Sequence, residues 1–219
     1  MHIYLDTANL DELRKAAKLG VVSGVTTNPS LAAKEGTGDL KSYKKVILEI
    51  ASIINGPISA EVISLDVEGM LREGRDIATW HPNVVVKLPS TLAGLEAISI
   101  LSKEKIRINQ TLCFSVNQAL LGAVAGSTFV SPFVGRLDDE GHDGMQLVAD
   151  IVKVFREYNY PTQVLAASIR HPLHCVQAAK AGAHIATVPY KVLLQMMHHP
   201  LTDVGVARFT EDWNKALKL

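Results

Sequence analysis

The sequence predicts an α/β chain folded as a single (β/α)8 TIM barrel with an extra C-terminal helix. Short apolar runs alternate with longer amphipathic segments along all 219 residues, with no composition break that would mark a linker. Eight such runs can be counted, and crossover connections between that many parallel strands cover the outside with helices, as a closed barrel requires. The first run ends in DTANLDE, residues 6–12. An open doubly wound sheet, the main competitor, would place a glycine-rich phosphate turn there.

Strands are expected near 2–6, 21–27, 58–63, 83–88, 105–111, 127–133, 162–168 and 184–188. Between them helical patterns run near 10–19, 40–54, 67–79, 92–103, 116–125, 143–158 and 172–181. Asn9 and Glu12 are placed to form a capping box ahead of Leu10, Leu13, Ala16 and Ala17, with Gly20 as the stop. Ser115 and Gln118 repeat the device, and Gly126 closes that helix. Pro172 suits a first helical turn and Gly182 its end. Leu147, Val148, Ile151, Val152 and Phe155 form one apolar stripe over 145–155. Beyond the eighth strand comes more helix than a closing unit needs, near 190–198 and 202–217. That tail, over 200–219, carries Val206, Phe209 and Trp213 at helical spacing and is expected to cover the barrel or a neighbouring subunit.

Composition removes several classes of function. Twenty-two basic and twenty-two acidic residues cancel, so the overall field favours neither nucleic acid nor an anionic membrane. An anionic ligand must be held by a local cluster. Cys113 and Cys175 lie in apolar stretches without metal-ligand spacing, as free thiols of a reducing cytoplasm do. Met1 leads directly into HIYLD, leaving no stretch for a secretion signal, and no apolar run is long enough to cross a bilayer. His171 with His174, and His198 with His199, lack a third ligand and read as surface or helix-end histidines.

Alternation within the strands sorts side chains to the axis or to the helices. Ile3 and Leu5 suit the helix side, leaving Tyr4 and Asp6 inward. By the same rule Glu61, Lys87, Asn109, Thr111, Ser131, Phe133 and Ser168 face the axis, with Arg170 just beyond, and Thr26 and Asn28 share a parity. These residues cluster at carboxyl ends, the rim where barrel enzymes do their chemistry. Lys87, at the end of VVVKLP, is the most telling of them. Desolvation favours the neutral, nucleophilic form of a lysine, which Schiff-base chemistry on a ketone requires. The competing reading lays its methylenes on the valines with its head in water. Asp6 read alone is a helix cap, and Asn28 with Pro29 a turn. Asp, Glu and Lys at three strand ends facing one cavity are harder to attribute to chance.

At these residues the chain resembles the small transaldolases and their relatives, the fructose-6-phosphate aldolases. The matching pieces are LDTAN (5–9), GVTTNPSL (24–31), SAEV (59–62), VVKLP (85–89), INQTL (108–112), VSPFVGRLDD (130–139), ASIRHP (167–172) and FTEDW (209–213). The resemblance implies a class I mechanism without metal or organic cofactor. It also implies a homo-oligomer, typically a decamer of two pentameric rings, in which the C-terminal helix reaches a neighbour. The aldolase branch carries glutamine, alanine and tyrosine where this chain has Glu61, Ser131 and Phe133, and tends to lysine at the position of Arg170. All four residues here look like transaldolase. His171 departs from the asparagine frequent in relatives.

The roles implied are Lys87 as the Schiff-base amine, Glu61 as proton carrier through an ordered water, and Asp6 as base on the hydroxyl of carbon 4. Arg136 and Arg170 would hold a sugar phosphate with Ser168, since guanidinium forks suit phosphate oxygens. Without the resemblance Arg136 reads as an ion-pair partner of Asp138 or Asp139. Asn28, Asn109, Thr111 and Ser131 would hold hydroxyls of a three-carbon unit, and apolar Phe133 would keep water from it. A fructose-6-phosphate aldolase, a non-catalytic sugar-phosphate-binding barrel, and an isomerase or epimerase remain as alternatives.

Overall fold

The computed structural model describes residues 1–217. Within them eight parallel strands close into a barrel in chain order. They are β1 (His2–Asp6), β2 (Val22–Thr26), β3 (Ile58–Glu61), β4 (Val84–Pro89), β5 (Ile108–Cys113), β6 (Phe129–Pro132), β7 (Gln163–Ala166) and β8 (Ile185–Val188). β8 pairs back onto β1, which leaves no free edge. The outer helices are α1 (Leu10–Ala17), α3 (Leu40–Ile53), α4 (Val67–Ala78), α5 (Leu92–Lys103), α6 (Val116–Ala125), α8 (Gly144–Glu157), α9 (Pro172–Ala181) and α10 (Tyr190–Gln195). Two short helices start on the rim, α2 (Pro29–Lys34) and α7 (Val134–Asp139), and α11 (Pro200–Ala216) ends the described chain.

The core has two compartments. The larger lies between sheet and helices, where Leu5, Val25, Ala60, Val86, Leu88, Ile108 and the α8 stripe of Leu147, Val148, Ile151, Val152 and Phe155 pack together. The smaller fills the barrel itself, with Tyr4, Val85, Phe129, Leu165 and Ile185 from alternate positions of their strands. Tyr4 meets the edge of Phe129 with ring centroids 6.4 Å apart. This plug closes the barrel below and leaves the inward side chains nearer the carboxyl ends facing a cavity. Gly24 is the condition for it: a Cβ at that position would stand 2.6 Å from the Tyr4 ring and 2.8 Å from the Pro57 carbonyl.

Local signals set most of the ends. Asn9 Oδ1 accepts the N–H of Glu12 at 2.9 Å, but Glu12 does not complete the box. Its carboxylate accepts the Thr7 hydroxyl at 2.8 Å instead. Lys18 caps α1, and Gly20, with φ 70°, turns the chain two residues later. Ser115 caps α6 and Gly126 ends it at φ 103°. Pro172 opens α9 and Gly182 ends it at φ 83°. Cys113 and Cys175 are buried free thiols, and burial pushes them up to about 12 and about 11, far from a reactive thiolate. Among the described residues no helix is long and apolar enough to cross a membrane.

Several features depart from the sequence reading, among them β5, which runs Ile108–Cys113 where 105–111 was expected. α2 and α7 were not expected, because six residues hold too little of a helical period to show an apolar stripe. β7 ends at Ala166, short of the expected 168, and Leu165 and Ala167 take the inward places. Ser168 follows with φ 57° in the left-handed region, so strand parity does not carry through to it.

Candidate active site

Parallel pairing of β3 with β4 sets Glu61 opposite Lys87. Both project inward, and Lys87 Nζ lies 2.9 Å from Glu61 Oε2. Lys87 is 4% exposed, and the same nitrogen donates to the Thr27 carbonyl at 3.1 Å. A cation this enclosed is tolerated only with such partners. Glu61 is fixed from outside: its N–H donates to the Tyr43 hydroxyl at 3.1 Å, and Tyr43 packs edge-on against Trp80. Burial pushes the Tyr43 phenol up to about 12, so it stays a neutral hydroxyl.

Asp6 ends β1 beside Thr26 of β2, its register partner. The Thr26 hydroxyl donates to Asp6 Oδ1 at 2.7 Å and meets the Thr187 hydroxyl at 2.6 Å. Burial raises the Asp6 carboxyl above its ordinary value; the Lys87 cation and the Thr26 hydrogen bond oppose that, and Glu61 adds to it. Carboxylate and amine thus share one enclosed space, which is the condition for one to move protons while the other holds substrate.

A cavity of about 320 Å³ opens here, lined by Asp6, Thr26, Asn28, Lys87, Ser131, Phe133, Arg136, Ser168 and Arg170 among others. Glu61 and Thr111 line an adjoining space of about 240 Å³ that shares Lys87 and Phe133 with it. The Thr111 hydroxyl is buried without a hydrogen-bond partner among the described residues. Such a group is costly unless a ligand completes it. Asn109 lines neither space: its amide donates to Ser59 Oγ at 3.0 Å and accepts from Ser131 Oγ at 2.6 Å. It therefore lies beneath the cavity and orients Ser131. Asn28 Oδ1 is committed to the N-terminus of α2, accepting the Leu31 N–H at 2.9 Å.

At the outer end the Arg136 guanidinium lies over the Phe133 ring, 5.1 Å from its centroid. It forms no ion pair with Asp138 or Asp139. Asp139 instead pairs with Arg170 at 2.9 Å, and Asp138 with His174 at 3.1 Å. His174 is buried in the first turn of α9, so of the two readings given for it the helix-end one applies and the surface one does not. No group of three or more His, Cys, Asp or Glu able to hold a metal occurs among the described residues.

Sequence reasoning missed Thr187, Ser30 and Lys34, which line the same cavity. Alternation in β8, from Ile185 inside the barrel to Thr187, was the available signal for the first. The other two ride on α2, and nothing in the strand pattern points to them.

Fold and rim together mark a barrel enzyme, with its polar groups gathered at the carboxyl ends of the strands. The family Transaldolase/Fructose-6-phosphate aldolase matches residues 3–219, and the chain belongs to it. It is 64% identical over 219 residues to a probable transaldolase of Dehalococcoides mccartyi, with 100% of both chains covered. It is 60% identical over 216 residues to one of a Thermoanaerobacter species, covering 99% of this chain and 98% of the relative. With a probable transaldolase of Roseiflexus castenholzii it shares 63% identity over 213 residues, 97% of each chain. The protein is an enzyme of the transaldolase type.

Proposed function

We propose that the enzyme transfers a dihydroxyacetone unit, held as a Schiff base on Lys87, from ketose phosphates to aldose phosphates. Sedoheptulose 7-phosphate and fructose 6-phosphate are the donors of this reading, glyceraldehyde 3-phosphate and erythrose 4-phosphate the acceptors, as in the pentose phosphate pathway. The observation that carries it is the Lys87 amine, enclosed in the barrel 2.9 Å from Glu61 in a space that Asp6 also lines.

Glu61 takes a proton from the ammonium, and the freed amine attacks the keto carbon. The proton returns to the carbinolamine hydroxyl, which leaves as water, giving the iminium. Asp6 removes the proton from the hydroxyl on carbon 4, the bond between carbons 3 and 4 breaks, and its electrons pass into the iminium. The aldose phosphate departs and an enamine stays on Lys87. An acceptor aldehyde is then attacked by the enamine, Asp6 returns its proton to the new alkoxide, and water releases the new ketose. The iminium formed on Lys87 is itself the electron sink, so the scheme calls on no metal or organic cofactor. Thr111, Ser131 and Asn28 meet hydroxyls of the three-carbon unit, with Thr26 steadying Asp6 and Asn109 steadying Ser131. Arg136, Arg170 and Ser168 meet the phosphate. Phe133, packed against Phe114 at 5.7 Å, keeps the face over the amine apolar, which favours transfer over hydrolysis.

The subunit in this reading is one barrel domain, with α11 lying on a neighbouring copy in a decamer of two pentamers. The test is borohydride reduction with fructose 6-phosphate followed by peptide mass analysis. One reduced three-carbon adduct on Lys87 is expected; an unlabelled lysine sinks the proposal. Rapid release of free dihydroxyacetone without acceptor would move the assignment to the aldolase.

A further inference from the structure

His174 is one of few buried polar groups near the cavity that the scheme above does not use. It sits in the first turn of α9 and is 6% exposed. Its Nδ1 accepts the backbone N–H of Arg170 at 3.3 Å, and its Nε2 lies 3.1 Å from Asp138 Oδ2. The other oxygen of Asp138 accepts the N–H of Gly144, the first residue of α8, at 2.9 Å. One carboxylate–imidazole pair thus ties α7, the start of α8 and the first turn of α9 to the Arg170 backbone. The partners fix the tautomer: Nδ1 accepts, so Nε2 carries the hydrogen and donates to Asp138. Burial, helped by His171, holds the imidazole below its usual value, against the pull of Asp138.

The segment it anchors has reason to need anchoring. The chain leaves β7 through Ser168 in a left-handed conformation that a non-glycine residue adopts only when its surroundings hold it. The N–H of Gly135 donates to the Ser168 carbonyl at 3.0 Å. The Arg170 side chain then runs across Gly135, where a Cβ would come within 2.5 Å of Arg170 Cγ and Nε. The guanidinium is half exposed, and its only ion pair among the described residues is with Asp139. The direction of Arg170 is therefore set by its backbone and by the close approach at Gly135.

We propose that His174, held by Asp138, is a positioning residue that aims Arg170 at the phosphate of the substrate, so that phosphate recognition depends on the acceptor His174 offers the Arg170 backbone while the amine chemistry does not. The proposal rests on the reading of Arg170 as a phosphate ligand. A misplacement of about 1 Å in a positioning group is enough to change rates up to about a hundredfold. A brace on the arginine's backbone therefore has a measurable effect even without touching substrate.

The test compares wild type, Arg170→Ala, His174→Gln and His174→Asn. Asparagine keeps an acceptor near the Nδ1 position, whereas glutamine keeps a donor toward Asp138 and moves the acceptor away. Three quantities are read: inhibition by inorganic phosphate, KM against kcat for fructose 6-phosphate, and borohydride trapping of unphosphorylated dihydroxyacetone on Lys87. His174→Gln is expected to raise the phosphate inhibition constant and KM roughly tenfold, with trapping unchanged. His174→Asn is expected to restore both to within about twofold of wild type. If Arg170→Ala leaves phosphate inhibition unchanged, the phosphate role of Arg170 itself fails. If Arg170→Ala weakens inhibition and His174→Gln does not, only the present inference fails. Equal behaviour of the Gln and Asn variants, or loss of trapping in both, would make His174 a structural residue and overturn the assignment.

Discussion

At the floor of the cavity Asp6 takes the Thr26 hydroxyl, and Thr26 in turn meets Thr187, so three strands fix one carboxylate. Burial raises that carboxyl above its ordinary value. A base so placed holds a proton more firmly than a free aspartate. The acid limb of kcat/KM is therefore expected above the ordinary carboxylate range and is expected to vanish in Asp6→Asn, which should lose about 10²–10⁴-fold in activity. The same shift has a consequence for stability. A carboxyl raised on folding contributes stability below its unfolded value, and that contribution is lost as pH rises through its folded value. Asp6→Asn, neutral throughout, should consequently melt higher than wild type at pH 7, with the gap closing as pH falls toward the carboxylate range. Calorimetry across that range decides it; a variant that melts lower at pH 7 contradicts the assignment of burial as the dominant cause.

Among the elements, β2 shows how the barrel plug and the site depend on one another. Tyr4 and Asp6 point the same way two residues apart on β1, and Tyr4 fits only because Gly24 on β2 has no side chain. Gly24→Ala must push the phenol or the Pro57 carbonyl aside, and overpacking of this kind costs about 1–3 kcal/mol. The urea midpoint should fall at unchanged slope, with activity reduced because Asp6 moves with Tyr4. An unchanged midpoint would mean that the plug is looser than its packing indicates. Alternation made this layer readable: Tyr4, Asp6, Glu61, Lys87 and Thr111 all face inward because period-two strands leave no other choice. Legibility stops where the chain leaves the sheet. The left-handed turn at Ser168 breaks parity, PSLAAK of α2 and VGRLDD of α7 show no apolar stripe to detect, and the contact of His174 with Asp138 joins residues distant in sequence. The ion pair with an adjacent carboxylate, weighed for Arg136 as the alternative to a phosphate role, does not form: its guanidinium lies over Phe133, while Asp138 and Asp139 are engaged by His174 and Arg170.

For the whole molecule the telling element is α11. Its 17 residues include none that is buried, although Leu201, Val204, Phe209 and Trp213 are large and apolar. Surface this apolar, gathered on one helix, suits the contact with a neighbouring copy proposed above. The barrel keeps its own two cores without α11, so removing the helix should leave a folded barrel and abolish assembly. Light scattering of the full chain is expected to give ten copies of 23.7 kDa, and of a chain ending at residue 199 a much smaller species with unchanged far-ultraviolet shape. Trp213 supplies a second readout, because Trp80 is buried within the barrel and Trp213 is not. In a Trp80→Phe background the Trp213 emission should be blue in the assembled protein and shift red on dilution, following the loss of mass. A full chain that scatters as a monomer, or an emission that stays red at every concentration, would leave α11 exposed and remove the neighbouring copy from the reading.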